Sequence, residues 1–343
     1  MAHAFWTDEE KQFIWENRTL TATEMLPKWL EKFGDTRSTN ALEKQILRTR
    51  KKTASVSAPV VDQIDVGISW LDGVLAAAKT LPKPPKQPES GERTRVIFLS
   101  DLHFGQQHHM FNKPFDHSVA RERVTSIPHM LQGPKPDKVI VALGGDCVEG
   151  ENIYPNQQVH IEFPAIEQAQ HFATATWEML IGLHKQYKCP VEVFTVPGNH
   201  GRTDKSASEL SNWDNVGYLI LQTLSSVSEL PISVHYNASE LYLFETQGKR
   251  ILLNHHGVKH TGTPAMRVKL AGWRELFEFN ILLHGHWHEA KVGQWFGQFV
   301  ICNGSLGGVN QYATKLAVGS PPMQVYFDLV EGQPFSEFRL LSW

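Results

Sequence analysis

Short apolar runs that end in Asp, Asn or His are the feature of this 343-residue sequence that most constrains its fold. They are RVIFLSDLH (95–103), KVIVALGGD (138–146), VEVFTVPGNH (191–200), RILLNHHG (250–257), NILLHGHWH (280–288) and FVICNGS (299–305). Unbroken apolar runs are typical of strands buried on both faces. Helical patterns at 165–187 and 209–227 separate several of them. This alternation predicts an α/β sheet with its polar residues gathered at the carboxyl ends of the strands.

The side chains at these strand ends predict a metal site without thiolate ligands. They are Asp101, His103, Asp146, Asn199, His200, His255, His256, His286 and His288. His286 and His288 are two residues apart, so in a strand they would leave the same face. Carboxylate, amide and imidazole donors suit Mn, Fe or Zn. Because there are more donors than one tetrahedral ion needs, we expect two neighbouring ions that share a carboxylate.

Composition excludes several other classes of protein. The three cysteines, Cys147, Cys189 and Cys302, are widely spaced, which argues against a disulfide framework and a cysteine zinc site. The net charge of −3 shows no overall basic excess, so nucleic-acid binding would need a local basic patch. We find neither a signal peptide nor a run near the ~18 apolar residues that span a bilayer. We therefore expect a cytoplasmic protein without a membrane partner; the sequence is silent on oligomeric state.

A proline-rich stretch, TLPKPPKQPESGERT (80–94), indicates a semi-rigid linker. We therefore expect three regions: a helical module at 1–55, a helix and linker at 56–93, and a larger domain at 94–343. All of the polar strand ends lie in the last of these regions.

The N-terminal region has the pattern of three short helices. Thr7 and Glu10 predict a capping box at the first, the second ends at Gly34, and the third begins at 38–40. A tight turn before a basic last helix is a helix-turn-helix arrangement. From 37 to 52 there are six basic residues against Glu43 alone. These candidate DNA contacts are Arg37, Lys44, Arg48, Arg50, Lys51 and Lys52.

The residues WT-x-EE and RS-x-NA in this region resemble the helical module of some phage-type HNH endonucleases, and more distantly Myb/SANT domains. The alternative is a helical appendage or dimerisation element with a solvated basic face.

The motifs D-x-H, G-D, G-N-H, H and G-H-x-H, in this order, resemble those of the calcineurin-like metallophosphoesterases over roughly 94–343. The resemblance implies a four-layer αββα sandwich with a dimetal centre at the carboxyl edge of the sheets. It assigns Asp101, His103 and His288 to one ion and makes Asp146 the bridging ligand.

For the other ion, the resemblance implies Asn199, His286 and one histidine of NHHG. His255 follows the apolar run, as the family ligand does, whereas His256 precedes glycine, as in other members; both stay open. The ions would be Mn, with Fe, Zn or Ni as alternatives. A hydroxide between them would attack phosphorus in line, with Asp146 and His200 as catalytic residues and His200 as general acid.

Departures from the family patterns bear on the substrate. Ser/Thr phosphatases carry GDxVDRG and GNHE, whereas this chain has GDCVEGEN and GNHGR, with Glu149 in place of the second aspartate. Arg202 is a candidate phosphate contact, or else a solvated loop arginine. The segment 303–316 resembles one that closes phage-type members, so we expect it near the substrate and expect a bacterial or phage-infected host cell.

Together these features predict a phosphodiesterase or nuclease that acts on DNA. A phosphodiesterase or phosphatase for nucleotides or other small molecules is the first alternative. A non-catalytic DNA-binding protein with a structural metal site is the second.

Overall fold

A computed structural model describes residues 6–17, 20–34, 38–53, 91–110, 113–155, 157–208, 210–236, 239–258, 263–309, 320–335 and 338–343. The chain divides into two compact units, Met1–Pro85 and Lys86–Trp343. The predicted helix and linker at 56–93 lie outside the described residues as far as position 90. Within the described ranges, no helix combines the length and hydropathy that a membrane crossing requires.

Local capping explains where the helices of the N-terminal unit begin. The helices are α1 (Asp8–Glu16), α2 (Ala22–Phe33) and α3 (Thr39–Thr53). Thr7 and Glu10 form the predicted capping box, and Thr21 and Glu24 form a second one. The amide of Ala41 donates to the hydroxyl of Ser38 at 3.3 Å, so Ser38 caps α3.

An aromatic core holds these three helices together. Trp29 is fully buried, and the rings of Trp6, Phe13 and Phe33 lie 4.5–5.8 Å from it between centroids. Lys44 is exposed on α3. The other candidate DNA contacts lie outside the described side chains, so the helix-turn-helix assignment stays a prediction.

The larger unit contains two mixed sheets. Their strands are β1 (Arg93–Leu99), β4 (Lys138–Leu143), β5 (Val191–Thr195), β6 (Ile232–His235), β7 (Leu241–Thr246), β8 (Lys249–Asn254), β9 (Ile281–His284), β10 (Lys291–Trp295), β11 (Gln298–Cys302), β12 (Met323–Val330) and β13 (Arg339–Ser342). The six-stranded sheet has the order β13-β12-β1-β4-β5-β6, and the five-stranded sheet has the order β10-β11-β9-β8-β7. A small hairpin, β2 (His108–Met110) and β3 (Lys113–Phe115), stands apart from both.

Four layers result from the way these sheets and the remaining helices bury their apolar faces. The helices are α4 (His117–Met130), α5 (Ala165–Tyr187), α6 (Trp213–Val227) and α7 (Pro264–Phe277). Residues of α4, α5 and α6 pack against Ile97 and Leu99 of β1, while Val96 and Phe98 face the other sheet. Leu270 of α7 packs on the outer side of the five-stranded sheet. The predicted αββα sandwich is confirmed.

Two boundaries differ from the sequence prediction. Helix α6 begins at Trp213 rather than at 209, because the side chain of Asn212 accepts from the amide of Asp214 and caps it. Strand β9 ends at His284, so His286 and His288 lie in the following loop. The prediction that they share a strand face is therefore wrong.

A buried ion pair joins strands β1 and β12. The Arg95 side chain is fully buried and donates to Asp328 at 2.8 and 2.9 Å, and to the hydroxyl of Tyr187 at 2.8 Å. Asp328 is 9% exposed. A charge in such a place is tolerated only while its partner remains.

We expect Arg95→Ala to lower the free energy of unfolding of this unit by about 3 kcal/mol, because it removes the two short contacts to Asp328 and leaves that carboxylate with only the 3.4 Å contact to Arg93. Urea denaturation monitored by tryptophan fluorescence measures the change. Arg121→Ala is the matched control, since its pair with Glu178 is exposed and should contribute about 1 kcal/mol or less. Equal losses in the two variants would contradict the interpretation.

Candidate dimetal centre

The loops that follow the strands turn through an unusual backbone conformation. Asp101, His103, Asp146, His286 and His288 have φ values of 53°, 49°, 50°, 73° and 54°. This region is uncommon for residues other than glycine and costs about 1–3 kcal/mol per residue. The amides of Asp101 and His103 donate to the carbonyls of Gly145 and Asp146 at 3.0 Å, which holds two of these loops together. The strain is concentrated where the predicted ligands lie.

The first group of ligand atoms comes from Asp101, His103 and His288. The Nε2 atoms of the two histidines lie 3.2 Å apart, and His288 Nε2 lies 3.3 Å from an oxygen of Asp101. His103 Nδ1 faces a carboxylate oxygen of Glu149 at 2.8 Å. A ring whose Nδ1 is paired in this way presents the Nε2 lone pair to the cluster. Two imidazole nitrogens and a carboxylate oxygen thus lie within 4.8 Å of one another.

The second group of ligand atoms surrounds Asn199. Its side-chain oxygen lies 2.8 Å from His286 Nδ1 and 3.0 Å from His255 Nε2. His255 Nε2 also lies 3.0 Å from an oxygen of Asp146. His255 Nδ1 contacts the carbonyl of Gly144 at 2.8 Å, so that Nδ1 carries the proton and Nε2 faces inward.

Asp146 connects the two groups. Its Oδ2 faces His255, and ligand atoms of Asp101, Asp146 and His255 lie within 4.8 Å of one another. Its Oδ1 accepts from the amides of Asn199 and His200, both at 2.7 Å. Two buried carboxylates this close repel each other, and cations between them would remove the repulsion. The oxygen and nitrogen donors fit Mn, Fe, Zn or Ni.

The geometry favours His255 over His256 as the ligand from NHHG. His255 is fully buried, and its ring is fixed by the Gly144 carbonyl. His256 is half-buried, and one of its nitrogens lies within 4.8 Å of donor atoms of His255 and His286, so it stays the alternative ligand.

The charges of the cluster shift its pKa values strongly. Burial lowers the pKa of His255, but Asp146 outweighs it and raises that pKa to about 10. Burial raises the pKa of Asp101, but the hydrogen bond and charge of His288 lower it to about 2. Burial and the positive charge of His255 lower the pKa of His286 to about 3. Metal ions would therefore displace a proton from His255 on binding.

His200 lies at the mouth of the cluster with 21% of its side chain exposed. Its Nδ1 is 3.3 Å from Glu149, and its ring lies 4.6 Å from that of His103. Burial lowers the pKa of His200, but Glu149 and Asp146 outweigh this and raise it to about 9.

Glu149, which departs from the phosphatase pattern, has a role in the cluster that its sequence motif did not predict. The carboxylate is 5% exposed, and one of its oxygens faces Gln106, His103 and His200. Burial raises its pKa, but the two histidines lower it well below the usual range. The sequence feature that could have indicated this role is the position of Glu149, three residues after Asp146. Glu149 thus holds one predicted ligand and the predicted general acid in place.

Tyr154 and Asp214 were missed as well. The Tyr154 hydroxyl accepts from the side-chain nitrogen (Nδ2) of Asn199 at 2.5 Å, and the Tyr154 ring lies 4.7 Å from that of His200. Asp214, on α6, accepts from the amides of Cys147, Val148 and Gly198 and so ties the loops after β4 and β5 together. Neither residue belongs to a motif that the sequence displays.

Two further predictions have a partial structural context. Arg202 is half-buried and donates through Nε to the carbonyl of Asn199 at 3.0 Å, and its phosphate contact stays a prediction. Of the segment 303–316, residues 310–316 lie outside the described part of the chain. The amide of Leu306 donates to the carbonyl of Asp101, which brings the start of this segment next to the cluster.

We expect His255→Ala to weaken Mn binding more than the ~10–100-fold that loss of a supporting residue costs, because it removes a donor from the cluster. His256→Ala is the matched control and should keep two bound ions. Metal content after gel filtration, measured by mass spectrometry, compares the two variants. The opposite ranking would make His256 the ligand.

Comparison with known proteins provides independent information. Residues 94–290 match the family described as calcineurin-like phosphoesterase. Over 116 residues, the chain is 27% identical to the SPbeta prophage-derived uncharacterized protein YonJ of Bacillus subtilis (strain 168). That alignment covers 32% of this chain and 29% of YonJ, so the chain spans under a third of this curated relative.

Solved structures give matches of low identity. Vacuolar protein sorting 29 from Cryptosporidium parvum is 15% identical, with 74% of this chain and 100% of that chain covered and a TM-score of 0.35. A predicted phosphoesterase from Streptococcus pneumoniae TIGR4 is 13% identical, with 74% and 100% covered and a TM-score of 0.32. An archaeal phosphodiesterase is 10% identical, with 72% and 98% covered and a TM-score of 0.37.

The family match covers more than half of the chain and contains the strand ends from Asp101 to His288. The chain therefore belongs to the calcineurin-like phosphoesterase family of metal-dependent hydrolases.

Proposed function

We propose that the protein is a dimetal phosphodiesterase that cleaves DNA. The observation that carries the proposal is the pair of ligand groups joined by the Asp146 carboxylate, with His200 partly exposed beside them. When bound, two divalent ions supply the Lewis acidity that activates water and offsets the phosphoryl charge. We propose Mn²⁺, with Fe, Zn or Ni as alternatives that the same donors accept.

The protein's own residues supply the proton and its placement. Glu149, 3.3 Å from His200 Nδ1, favours the protonated ring, which is the form that can protonate a departing oxygen. The ring of Tyr154 packs against the His200 ring and limits its movement. His200 is thus held at the mouth of the cluster with its proton available.

A phosphodiester suits this site better than a phosphomonoester. A dianionic monoester is usually bound by arginines, and the position of the phosphatase arginine, four residues after Asp146, is Gly150 in this chain. Arg202 already directs its Nε to the backbone of Asn199. The site therefore favours a singly charged diester.

The N-terminal unit supports a nucleic-acid substrate over a small molecule. Its third helix carries the exposed Lys44, and the sequence from 37 to 52 holds six basic residues against one acidic residue. Such a local patch neutralises phosphates of a DNA backbone even in a chain with a net charge of −3. We infer that this unit brings DNA to the catalytic unit.

We expect Mn-dependent cleavage of labelled DNA and of bis-p-nitrophenyl phosphate by the wild type. His200→Ala should slow DNA cleavage about 10²–10⁴-fold, because a deoxyribose oxygen must be protonated as it leaves. Hydrolysis of the small diester should fall less, because p-nitrophenolate is a stable leaving group. Gel and absorbance assays give the two rates.

His129→Ala, at an exposed histidine of α4, is the control and should retain both activities. Hydrolysis of the small diester with DNA left intact would favour the small-molecule alternative. DNA binding without any hydrolysis, equally in wild type and Asp146→Asn, would favour the non-catalytic alternative.

The basic stretch generates a separate prediction. Exchange of four of its residues for glutamine should weaken DNA binding and reduce the slope of log K against log salt by up to about 4, roughly one per lost phosphate contact. The four substitutions are Arg48→Gln, Arg50→Gln, Lys51→Gln and Lys52→Gln. Fluorescence anisotropy at several salt concentrations measures the slope.

The control neutralises four exposed charges on the catalytic unit and should change the slope little. These substitutions are Lys135→Gln, Lys185→Gln, Lys188→Gln and Arg267→Gln. An unchanged slope in the first variant would leave the N-terminal unit as an appendage or dimerisation element.

A further inference from the structure

The amide of Asn199 must face one particular way to bind a cation. Its oxygen is a metal donor, whereas its NH₂ group carries two protons and cannot ligate. The two ends of the amide have nearly the same size, so packing alone does not choose between them. The choice depends on hydrogen-bond partners, and the side chain is 4% exposed, which leaves little room for water to supply them.

Tyr154 provides a partner for the nitrogen end. Its hydroxyl oxygen accepts from Asn199 Nδ2 at 2.5 Å, while Asn199 Oδ1 faces His286 Nδ1 at 2.8 Å and His255 Nε2 at 3.0 Å. Reversal of the amide would let the tyrosine hydroxyl donate to the amide oxygen, but it would turn the two amide protons toward the metal-facing nitrogens, where a cation could not be bound. In the orientation that a cation requires, the hydroxyl accepts from the buried nitrogen end, and its loss would leave that donor without this partner.

The loop that carries Tyr154 is itself held in place. Gln157 is buried, and its side-chain oxygen accepts from the amides of Ile153 at 2.8 Å and Tyr154 at 3.2 Å. Its side-chain nitrogen donates to the carbonyl of Glu149 at 2.5 Å. Glu149 in turn contacts His103 and His200. The position of the hydroxyl is thus set by the same framework that sets the ligands.

The backbone of Asn199 is fixed from a second direction. Arg202 Nε donates to its carbonyl at 3.0 Å, and its amide donates to Asp146 at 2.7 Å. Because the backbone carbonyl and amide of Asn199 are both restrained, the remaining freedom is rotation of its side-chain amide about the Cβ–Cγ bond. Tyr154 acts on that bond.

We propose that Tyr154 is a positioning residue that holds the Asn199 oxygen toward the second metal ion, and so sets the affinity of that site without ligating. This inference rests on the proposed function, because it takes Asn199 as a ligand. It predicts an unequal effect on two sites that share Asp146. The first site, formed by Asp101, His103 and His288, has no contact with the hydroxyl among those described.

The test is a titration of Tyr154→Phe with Mn²⁺, followed by electron paramagnetic resonance. The variant keeps the ring against His200 and removes the hydroxyl alone. We expect the first Mn²⁺ to bind within about twofold of the wild type and the second to bind about 10–100-fold more weakly. The signal of the exchange-coupled pair should then appear at correspondingly higher Mn²⁺ concentration.

Tyr242→Phe, on β7 of the other sheet, is the matched control and should titrate as the wild type does. Tyr154→Phe should also unfold at the wild-type temperature in the absence of Mn²⁺. Two unchanged affinities would overturn the inference, and so would an equal loss at both sites, which indicates a general structural role.

A second variant tests the amide directly. In the Asn199→Asp variant, an oxygen faces the ion in either orientation of the side chain. Adding Tyr154→Phe to this variant should therefore weaken Mn²⁺ binding at the second site much less than Tyr154→Phe does in the wild type. An equal loss in both backgrounds would overturn the inference. A wild type that binds two Mn²⁺ ions but hydrolyses no phosphodiester would refute the proposed function and leave this comparison valid.

Discussion

The buried carboxylate of Asp146 is the interaction on which the rest of the catalytic unit depends. It is 1% exposed, receives the amides of Asn199 and His200 on one oxygen and faces His255 with the other. Removal of a carboxylate from water costs several kcal/mol, which must be recovered from partners in good geometry. The loops after β4, β5 and β8 must therefore all be in position for the Asp146 carboxylate to have its partners.

Close backbone approach makes this convergence possible. Gly145 has a φ of 85°, and a Cβ there would collide with the backbone of Gly198 at 2.5 Å. A Cβ on Gly198 would in turn collide with the Asp146 side chain. Asp214 then ties the two loops by accepting three of their amides. Glycine allows the approach, and a buried carboxylate behind the loops maintains it.

The site lies across two sheets, so its geometry also depends on the packing between them. The six-stranded sheet contributes the loops of Asp101, Asp146 and Asn199, and the five-stranded sheet contributes those of His255 and His286. The apolar layer between the sheets, with the Phe194 and Phe244 rings stacked at 4.2 Å, holds the two halves at a fixed spacing. Close packing of this kind transmits changes in volume to the ligand positions.

The amino-acid sequence alone predicted an α/β sheet and the set of strand-end residues, because apolar runs and the polar residues that follow them are local patterns. The four-layer αββα arrangement came from the resemblance to a known family. The folded structure supplied the information that depends on residues distant in the chain. It placed His286 and His288 in a loop rather than on a strand face, and it favoured His255 through the Gly144 carbonyl. It also revealed the contacts of Tyr154 with Asn199, which are 45 residues apart. Hydrophobic periodicity cannot predict such a contact, because the two residues meet only after separate strands have assembled into a sheet with their loops at one edge.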